Sequence, residues 1–166
     1  MTISAAEYPV ILRQDLMSFI ERSFCGLNPQ TRLLTACYLE VIATKLEACR
    51  RGKIRRLIIN RSLKSHCASI AFPAWLLGHN PAAHIICASY GQDLADKFAR
   101  DSRRIMTSSW YRALFPTRLA ERQAMHDFTT TRQGTRMATS VGGVLTGRGA
   151  DLIIIDMPSR VPKRSG

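Results

Sequence analysis

The chain has 166 residues, of which 46% are hydrophobic, and its formal net charge is +12. This length and composition predict one folded domain with a hydrophobic core, and they exclude a disordered chain. The excess of positive charge favours partners with many negative charges, such as nucleic acid, nucleotide phosphates or an acidic surface.

The cysteines and apolar runs argue against a zinc site, a disulfide framework and a membrane partner. Five cysteines occur without a C-x-x-C pair, and the four histidines show no zinc-ligand spacing. We therefore expect free thiols in a reducing compartment. The longest apolar run, Ala68 to Leu77, is shorter than the roughly 20 residues that span a bilayer.

The first fifty residues predict helices. Apolar residues at spacings of three, four and five favour an amphipathic helix from Leu12 to Phe24. Asn28 and Pro29 form a cap-plus-first-turn signal for a second helix that runs to Cys49, with or without an interruption.

A buried strand over Arg55–Asn60, a tight turn and a helix are predicted next. Lys64 and Ser65 stand where the turn becomes the helix. P-loop proteins bind phosphate at this point through backbone N–H groups and a lysine, while the hydroxyl holds Mg²⁺. The strict pattern G-x-x-x-x-G-K-[ST] is not met, because its glycine positions hold Leu63 and Ile58. The alternative is a cation and a hydroxyl near a helix start without a ligand.

Basic residues are concentrated around this turn. Seven lie within fifteen residues that contain no acid: Arg50, Arg51, Lys53, Arg55, Arg56, Arg61 and Lys64. The run is either a solvated edge or a rim that faces phosphate groups. A second basic stripe consists of Lys97, Arg100, Arg103 and Arg104, for which a solvated helix face is favoured over DNA contact.

Further along the chain, strands and helices alternate. The predicted elements are a strand over His84–Ser89, a helix over Asp93–Met106 with Leu94, Phe98 and Ile105 inward, a short helix over Trp110–Phe115, and a hairpin of Asp127–Thr131 and Thr135–Val141 around Gln133 and Gly134. This alternation favours a parallel α/β sheet covered by helices on both faces.

The last predicted strand carries an acid at its tip. After a glycine-rich loop, Gly142–Gly149, four large aliphatic residues lead to Asp156, which predicts a buried parallel strand. In such sheets ligands bind beyond the carboxyl ends of the strands. Ser65 and Asp156 are 156 − 65 = 91 residues apart in sequence, yet both would lie on that edge and could share one Mg²⁺.

Long runs of residues then carry a resemblance to a known family. They are Leu46–Asn60, Ala68–Gly78, Ser89–Lys97 and Ala138–Asp151. From about Phe19 to Asp156 the chain resembles the N-terminal ATPase region of the large terminase subunit of tailed phages, the motor that packages DNA into proheads.

This resemblance implies a P-loop NTPase fold, RecA-like and of the additional-strand type, with a mostly parallel sheet flanked by helices. It implies ATP and Mg²⁺ as cofactors and double-stranded DNA, the terminase small subunit and the portal as partners. It also implies a phage or prophage gene expressed in the cytoplasm of a bacterial host. Lys64 and Ser65 match the Walker A lysine and hydroxyl, and Asp156 matches the magnesium-holding Walker B aspartate. Arg61 and Ser62 complete the implied nucleotide site, with Ser65 and Asp156 at the metal.

The chain departs from the family pattern at three places. The Walker A loop is about three residues shorter than usual, with only Arg61 and Ser62 between Asn60 and Leu63. Arg61 would have to replace the arginine that usually serves the γ-phosphate. Met157 stands where the family has an acid that orients the attacking water.

The third departure is that ten residues follow Asp156, so the later strands, the coupling motif and the nuclease domain of the family are not in this sequence. We therefore expect no intact catalytic set and a sheet that is incomplete at its C-terminal side. We divide the chain into a helical lead-in (1–50), a partial P-loop ATPase core (51–157) and a basic, disordered tail (158–166).

The sequence leaves three hypotheses open. The first is a truncated, degenerate terminase ATPase region with weak nucleotide binding and negligible hydrolysis. The alternative is a non-catalytic basic fragment that binds DNA or another terminase component. A third possibility is a remnant that does not fold alone, because a sheet that lacks strands has an unpaired edge.

Overall fold

The computed structural model describes residues 7–34, 36–121, 127–142 and 149–157. Most of the predicted glycine-rich loop and the tail from residue 158 lie outside these ranges. The helices are α1 (Glu7–Gln14), α2 (Leu16–Leu27), α3 (Cys37–Arg50), a π-helical segment (Ser65–Ala71), α4 (Phe72–His79), α5 (Gln92–Thr107) and α6 (Ser109–Leu114). The strands are β1 (His84–Ser89), β2 (Asp127–Thr129), β3 (Thr135–Ser140) and β4 (Leu152–Asp156).

The four strands form one open sheet in the order β2-β3-β1-β4. Strand β1 pairs in parallel with β3 and β4, while β2 and β3 form the predicted antiparallel hairpin. Ser89 is in register with Ser140 and with Asp156, so the carboxyl ends of three parallel strands meet at one edge. The α/β class is therefore confirmed, and so are the predicted strand β1 and the helix α5.

Helices do not cover both faces of the sheet along β4. The face that carries Ile85, Cys87 and Phe128 packs into the main core together with residues of α5. On the opposite face, Ile153 and Ile155 are 58% and 64% exposed. The prediction of a strand buried on both sides is wrong here, because among the described residues β4 is the last strand of the sheet and its alternate side chains face outward.

The predicted strand over Arg55–Asn60 is absent. The segment is extended but belongs to no strand of the sheet. Leu57 and Ile59 are half-buried and pack against the core, whereas Ile58 is 95% exposed. A strand needs a hydrogen-bonded neighbour, and nothing in the described part of the chain pairs with this one. The β-like side-chain pattern therefore yields an extended connection only.

Two helix boundaries also differ from the prediction. The first predicted helix is divided at Asp15, whose carboxylate accepts a hydrogen bond from the Ser18 N–H at 2.7 Å and caps α2. Asn28 does not begin the next helix. Its backbone and side-chain N–H groups both donate to the Phe24 carbonyl and end α2. Helix α3 begins later, at Cys37.

The main core cluster joins α1, α2 and α3 to α4, α5, α6 and the sheet, and a small second cluster consists of Ala95, Ala99 and Ala138. Trp75 is fully buried, and the rings of Phe19, Tyr111 and Phe115 contact one another. The predicted helical lead-in is therefore packed against the residues that follow it. Of the side chains that we expected to point inward from α5, Phe98 and Ile105 are buried but Leu94 is 39% exposed.

The hairpin turn depends on a close approach of two backbones. A Cβ atom on Gly134 would lie 2.2 Å from the carbonyl oxygen of Pro81. Because this oxygen belongs to the backbone, the clash is relieved only if the turn itself moves. We expect Gly134→Ala to lower the free energy of unfolding by about 1–3 kcal/mol, measured by urea denaturation. Gly149→Ala is the matched control, because its Cβ meets nothing within 4 Å. Equal effects of the two changes would contradict this reading of the turn.

Candidate functional site

Asp156 is the centre of the candidate site. It ends β4 at the carboxyl edge of the parallel strands and is only 7% exposed. One carboxylate oxygen accepts a hydrogen bond from the Ser69 hydroxyl at 3.2 Å, and the other lies 3.3 Å from Nζ of Lys64. A buried carboxylate is stable only when such partners compensate its lost hydration.

Lys64 is held at the end of β4 by two contacts. Its side chain is 20% exposed, and its ammonium group also donates a hydrogen bond to the carbonyl of Met157. The predicted proximity of the turn and the strand tip is therefore present, although 156 − 64 = 92 residues separate the two partners in sequence. Because little water reaches this pair, its attraction is screened less than that of a surface ion pair.

The hydroxyl that contacts Asp156 directly belongs to Ser69, whereas the sequence predicted that Ser65 would share a Mg²⁺ ion with Asp156. Ser65 is the first, half-buried residue of the π-helical segment. Among the described residues, Asp156 accepts a hydrogen bond from Ser69 and none from Ser65. The sequence offered a faint signal for Ser69, since it lies about one helical turn after Ser65 and so on the same side.

The turn before Lys64 has the backbone geometry that a glycine would favour. Leu63 has φ = +60°, a left-handed conformation that costs about 1–2 kcal/mol for a residue with a branched side chain. It occupies the position of the second glycine of the P-loop pattern. Arg61 and Ser62 precede it and are exposed at the surface of the turn. The turn thus contains a strained residue, which is frequent at ligand sites.

Arg136 donates a hydrogen bond to the backbone of the site. It lies on β3, is completely buried, and donates from Nη2 to the Ser69 carbonyl at 2.8 Å. Pro73, four residues after Ser69, has no N–H, so it cannot donate an α-helical hydrogen bond to that carbonyl. The Cζ atom of Arg136 lies 5.9 Å from the centre of the Phe128 ring. Nothing in the sequence pattern of β3 indicated this contact.

We call Lys64, Ser69, Arg136 and Asp156 the Lys64–Asp156 cluster. A continuous series of polar contacts runs from buried Arg136 to the Ser69 carbonyl, from the Ser69 hydroxyl to buried Asp156, and from Asp156 to half-buried Lys64. Two nitrogens of Arg136, Nε and Nη1, have no hydrogen-bond partner in the described part of the chain. A buried guanidinium with unused donors favours negative charge nearby, which fits the ionised carboxylate on the same sheet face.

The residues present fit a Mg²⁺ ion of the P-loop kind only in part. Such sites use one carboxylate and one hydroxyl, with phosphate oxygens and water as the remaining ligands. Asp156, Ser65 and Ser69 supply these groups. The ammonium of Lys64 lies beside the carboxylate, so it would have to move for a metal to bind there. No group of three or more His, Cys, Asp or Glu side chains suited to a metal occurs in the described ranges.

Among the described residues of the Lys64–Asp156 cluster, no second carboxylate lies beside Asp156. Met157 follows Asp156, is 45% exposed and carries a thioether, which cannot accept a proton. Within the Lys64–Asp156 cluster, Asp156 is the sole acid and it is already occupied by two partners. The cluster therefore contains no unpaired carboxylate that could accept a proton from water.

Comparison of the chain with family models, with curated proteins and with solved structures finds no match. The relation to terminases therefore stays a prediction from the sequence. None of the helices in the described ranges has the length and apolar character needed to cross a membrane.

His66 connects the site to α2. Its ring is buried, with Nε2 3.1 Å from the Ser23 hydroxyl and 3.3 Å from the Ile20 carbonyl. Burial lowers the pKa of His66 below its usual value, so the folded chain favours the neutral ring.

We therefore expect stability to fall as the pH drops below about 6.5, the usual pKa of an unfolded histidine, because the unfolded chain then takes up a proton that the folded chain resists. Urea denaturation at pH 7.5 and 5.5 should show a smaller loss in His66→Gln than in the native chain. His84→Gln, which changes an exposed histidine, is the control. If His66→Gln loses as much stability as the native chain, burial of His66 is not the cause.

A second stability test concerns Asp156. In Asp156→Asn the ammonium of Lys64 loses its charge partner in a place with little water, so we expect the free energy of unfolding to fall by about 1–3 kcal/mol. Asp101→Asn removes the partner of Lys97, whose side chain is 58% exposed, and should cost less than about 1 kcal/mol. Urea denaturation of both variants gives the comparison. Equal costs would show that the Lys64–Asp156 contact is no stronger than a surface pair.

Proposed function

We propose that the chain is related to the ATPase region of the large terminase subunit and that it binds the phosphates of Mg-ATP at Lys64, with negligible hydrolysis. The observation that carries the proposal is the 3.3 Å approach of Lys64 Nζ to Asp156 at the carboxyl edge of a parallel sheet. A cation after a tight turn and an acid at a strand tip are the two halves of a P-loop site. They come together here from distant parts of the sequence.

On this proposal each residue has a defined part in binding. The ammonium of Lys64 leaves the carboxylate of Asp156 and binds phosphate oxygens instead. The main-chain N–H groups at the start of the helical region add further donors. Asp156 and the serine hydroxyls are then available to Mg²⁺, which neutralises the phosphate charge when bound. Arg61, exposed in the turn, can reach the outer phosphate from the solvent side.

The affinity should be low for two physical reasons. The ion pair between Lys64 and Asp156 has to be broken before either group can bind the nucleotide, and the lost pair reduces the net gain. The turn also offers only Arg61, Ser62 and Leu63 between the extended segment and Lys64, so fewer N–H groups converge on a phosphate than in a full P-loop. Turnover is expected to be negligible because Met157 cannot orient water.

The rival function is a non-catalytic basic fragment that binds double-stranded DNA or another terminase component. The exposed Arg55, Arg56 and Arg61 near the site favour it, since they are available to a phosphate backbone. Binding to duplex DNA that weakens steeply with salt and is unaffected by ATP would support this function over the nucleotide site.

Calorimetric titration of Mg-ATP into the full chain tests the nucleotide site. We expect weak but measurable binding that Lys64→Ala reduces by about tenfold or more, since a charge-assisted contact to phosphate is lost. Lys53→Ala is the matched control, because it removes an exposed lysine from the same basic run. No binding by the native chain, or equal affinities of Lys64→Ala and Lys53→Ala, would reject the proposal.

A further inference from the structure

A second basic site lies away from the Lys64–Asp156 cluster. Three helices, α1, α3 and α4, end around an open cleft of ≈ 650 Å³. Its lining consists of Val10, Arg13, Gln14, Arg50, Arg51 and His79, and we call it the arginine cleft. No residue of the Lys64–Asp156 cluster lines it. The basic run that begins at Arg50 is thus divided between two places.

The charges in the arginine cleft are not balanced. The described lining contains three arginines and no acid, and Glu47, outside the lining, pairs with Arg51 at 3.0 Å. Within the described ranges, Arg13 and Arg50 form no ion pair. Both side chains are exposed to solvent and are free to meet an anion.

Packing holds Arg50 in place before any ligand arrives. Its guanidinium carbon lies 5.0 Å from the centre of the Trp75 ring, and that ring is completely buried. His79 packs on the same ring, with centroids 4.3 Å apart, and its Nε2 is 2.9 Å from the Arg13 carbonyl. A planar guanidinium that is already oriented loses less conformational entropy when it binds.

The C-terminal ends of helices attract cations, so a simpler role for Arg13 and Arg50 would be to cap the ends of α1 and α3. At least one carbonyl in the last turn of each of these helices already has another donor. The N–H groups of Asp15, Arg51 and Asn80 donate to carbonyls in the last turns of α1, α3 and α4 at 2.8, 3.0 and 2.7 Å. No hydrogen bond from the guanidinium groups of Arg13 or Arg50 caps a helix in the described part of the chain. Their donors remain available to a ligand.

We propose that the arginine cleft binds phosphate oxyanions, supplied either by a free polyphosphate or by a nucleic-acid backbone. Arginine forks match phosphate oxygens with two parallel N–H donors, and the cleft is large enough for several phosphate groups. The proposal is independent of nucleotide binding at Lys64, since the two sites share no residue.

The test compares two double variants that remove the same charge. Arg13→Gln with Arg50→Gln changes the cleft, whereas Arg112→Gln with Arg132→Gln changes two exposed arginines elsewhere. Inorganic pyrophosphate and a short DNA duplex are each titrated into the full chains at fixed salt. We expect the cleft variant to bind one of these probes about tenfold more weakly than the native chain, and the control variant to change by less than about twofold.

A second readout reports on the cleft directly. Burial, Arg50 and Arg13 lower the pKa of His79, while Glu47 and the contact to the Arg13 carbonyl raise it. A phosphate in the cleft opposes the arginine charges, so the pKa of His79 in an NMR titration should rise when pyrophosphate is added. The single variant Arg13→Gln, which changes an exposed side chain, replaces the double variant if loss of the Arg50 stacking impairs folding.

The outcomes separate the sources of phosphate. Weaker pyrophosphate binding by the cleft variant supports a free polyphosphate ligand, and a selective loss of duplex binding supports a nucleic-acid backbone. Equal behaviour of the cleft and control variants, or no binding of either probe, overturns the proposal. These outcomes differ from failure at Lys64, because Lys64→Ala leaves the arginine cleft intact.

Discussion

The contact between Lys64 and Asp156 is the constraint on which the candidate site depends. The extended segment before Lys64 belongs to no strand, and β4 has only one paired neighbour among the described residues. The segment before Lys64 is therefore not held by a sheet, whereas β4 is held on one side by its parallel pairing with β1. An ion pair with little access to water joins them at the carboxyl edge of the sheet. The same pair brings together the two groups that would meet a nucleotide, and it must open for one to bind.

Next to this ion pair, the buried charges of Arg136 and Asp156 are linked through Ser69. Arg136 is wholly inside, and it reaches Asp156 through Ser69, whose carbonyl accepts from the guanidinium and whose hydroxyl donates to the carboxylate. Pro73 in α4 cannot donate an α-helical hydrogen bond to the Ser69 carbonyl, and Arg136 from β3 donates to it. In a chain with a net charge of +12, the buried carboxylate of Asp156 forms an ion pair with Lys64 and is linked to Arg136 through Ser69.

The elements that the sequence predicted correctly are those with a clear hydrophobic periodicity. Strand β1, the hairpin of β2 and β3, and helix α5 follow from local patterns that the structure keeps. The strand over Arg55–Asn60 does not form, because a strand depends on a neighbour that local residues do not reveal. The ion pair of Lys64 with Asp156 was not foreseen, but Ser65 and Asp156 were predicted, from their positions at a turn and a strand tip, to lie at one sheet edge and to share Mg²⁺. Ser69 and Arg136 were not, since their contacts depend on the register between distant segments.

The most direct test is thermal unfolding of the purified chain with and without Mg-ATP. If the turn and the strand tip form a nucleotide site, the chain unfolds in one cooperative transition whose midpoint rises with Mg-ATP, because only the folded state binds the ligand. Mg²⁺ without ATP should leave the midpoint unchanged. A cooperative transition that Mg-ATP does not move would contradict the account, and the absence of a cooperative transition would show that the fold itself is not stable.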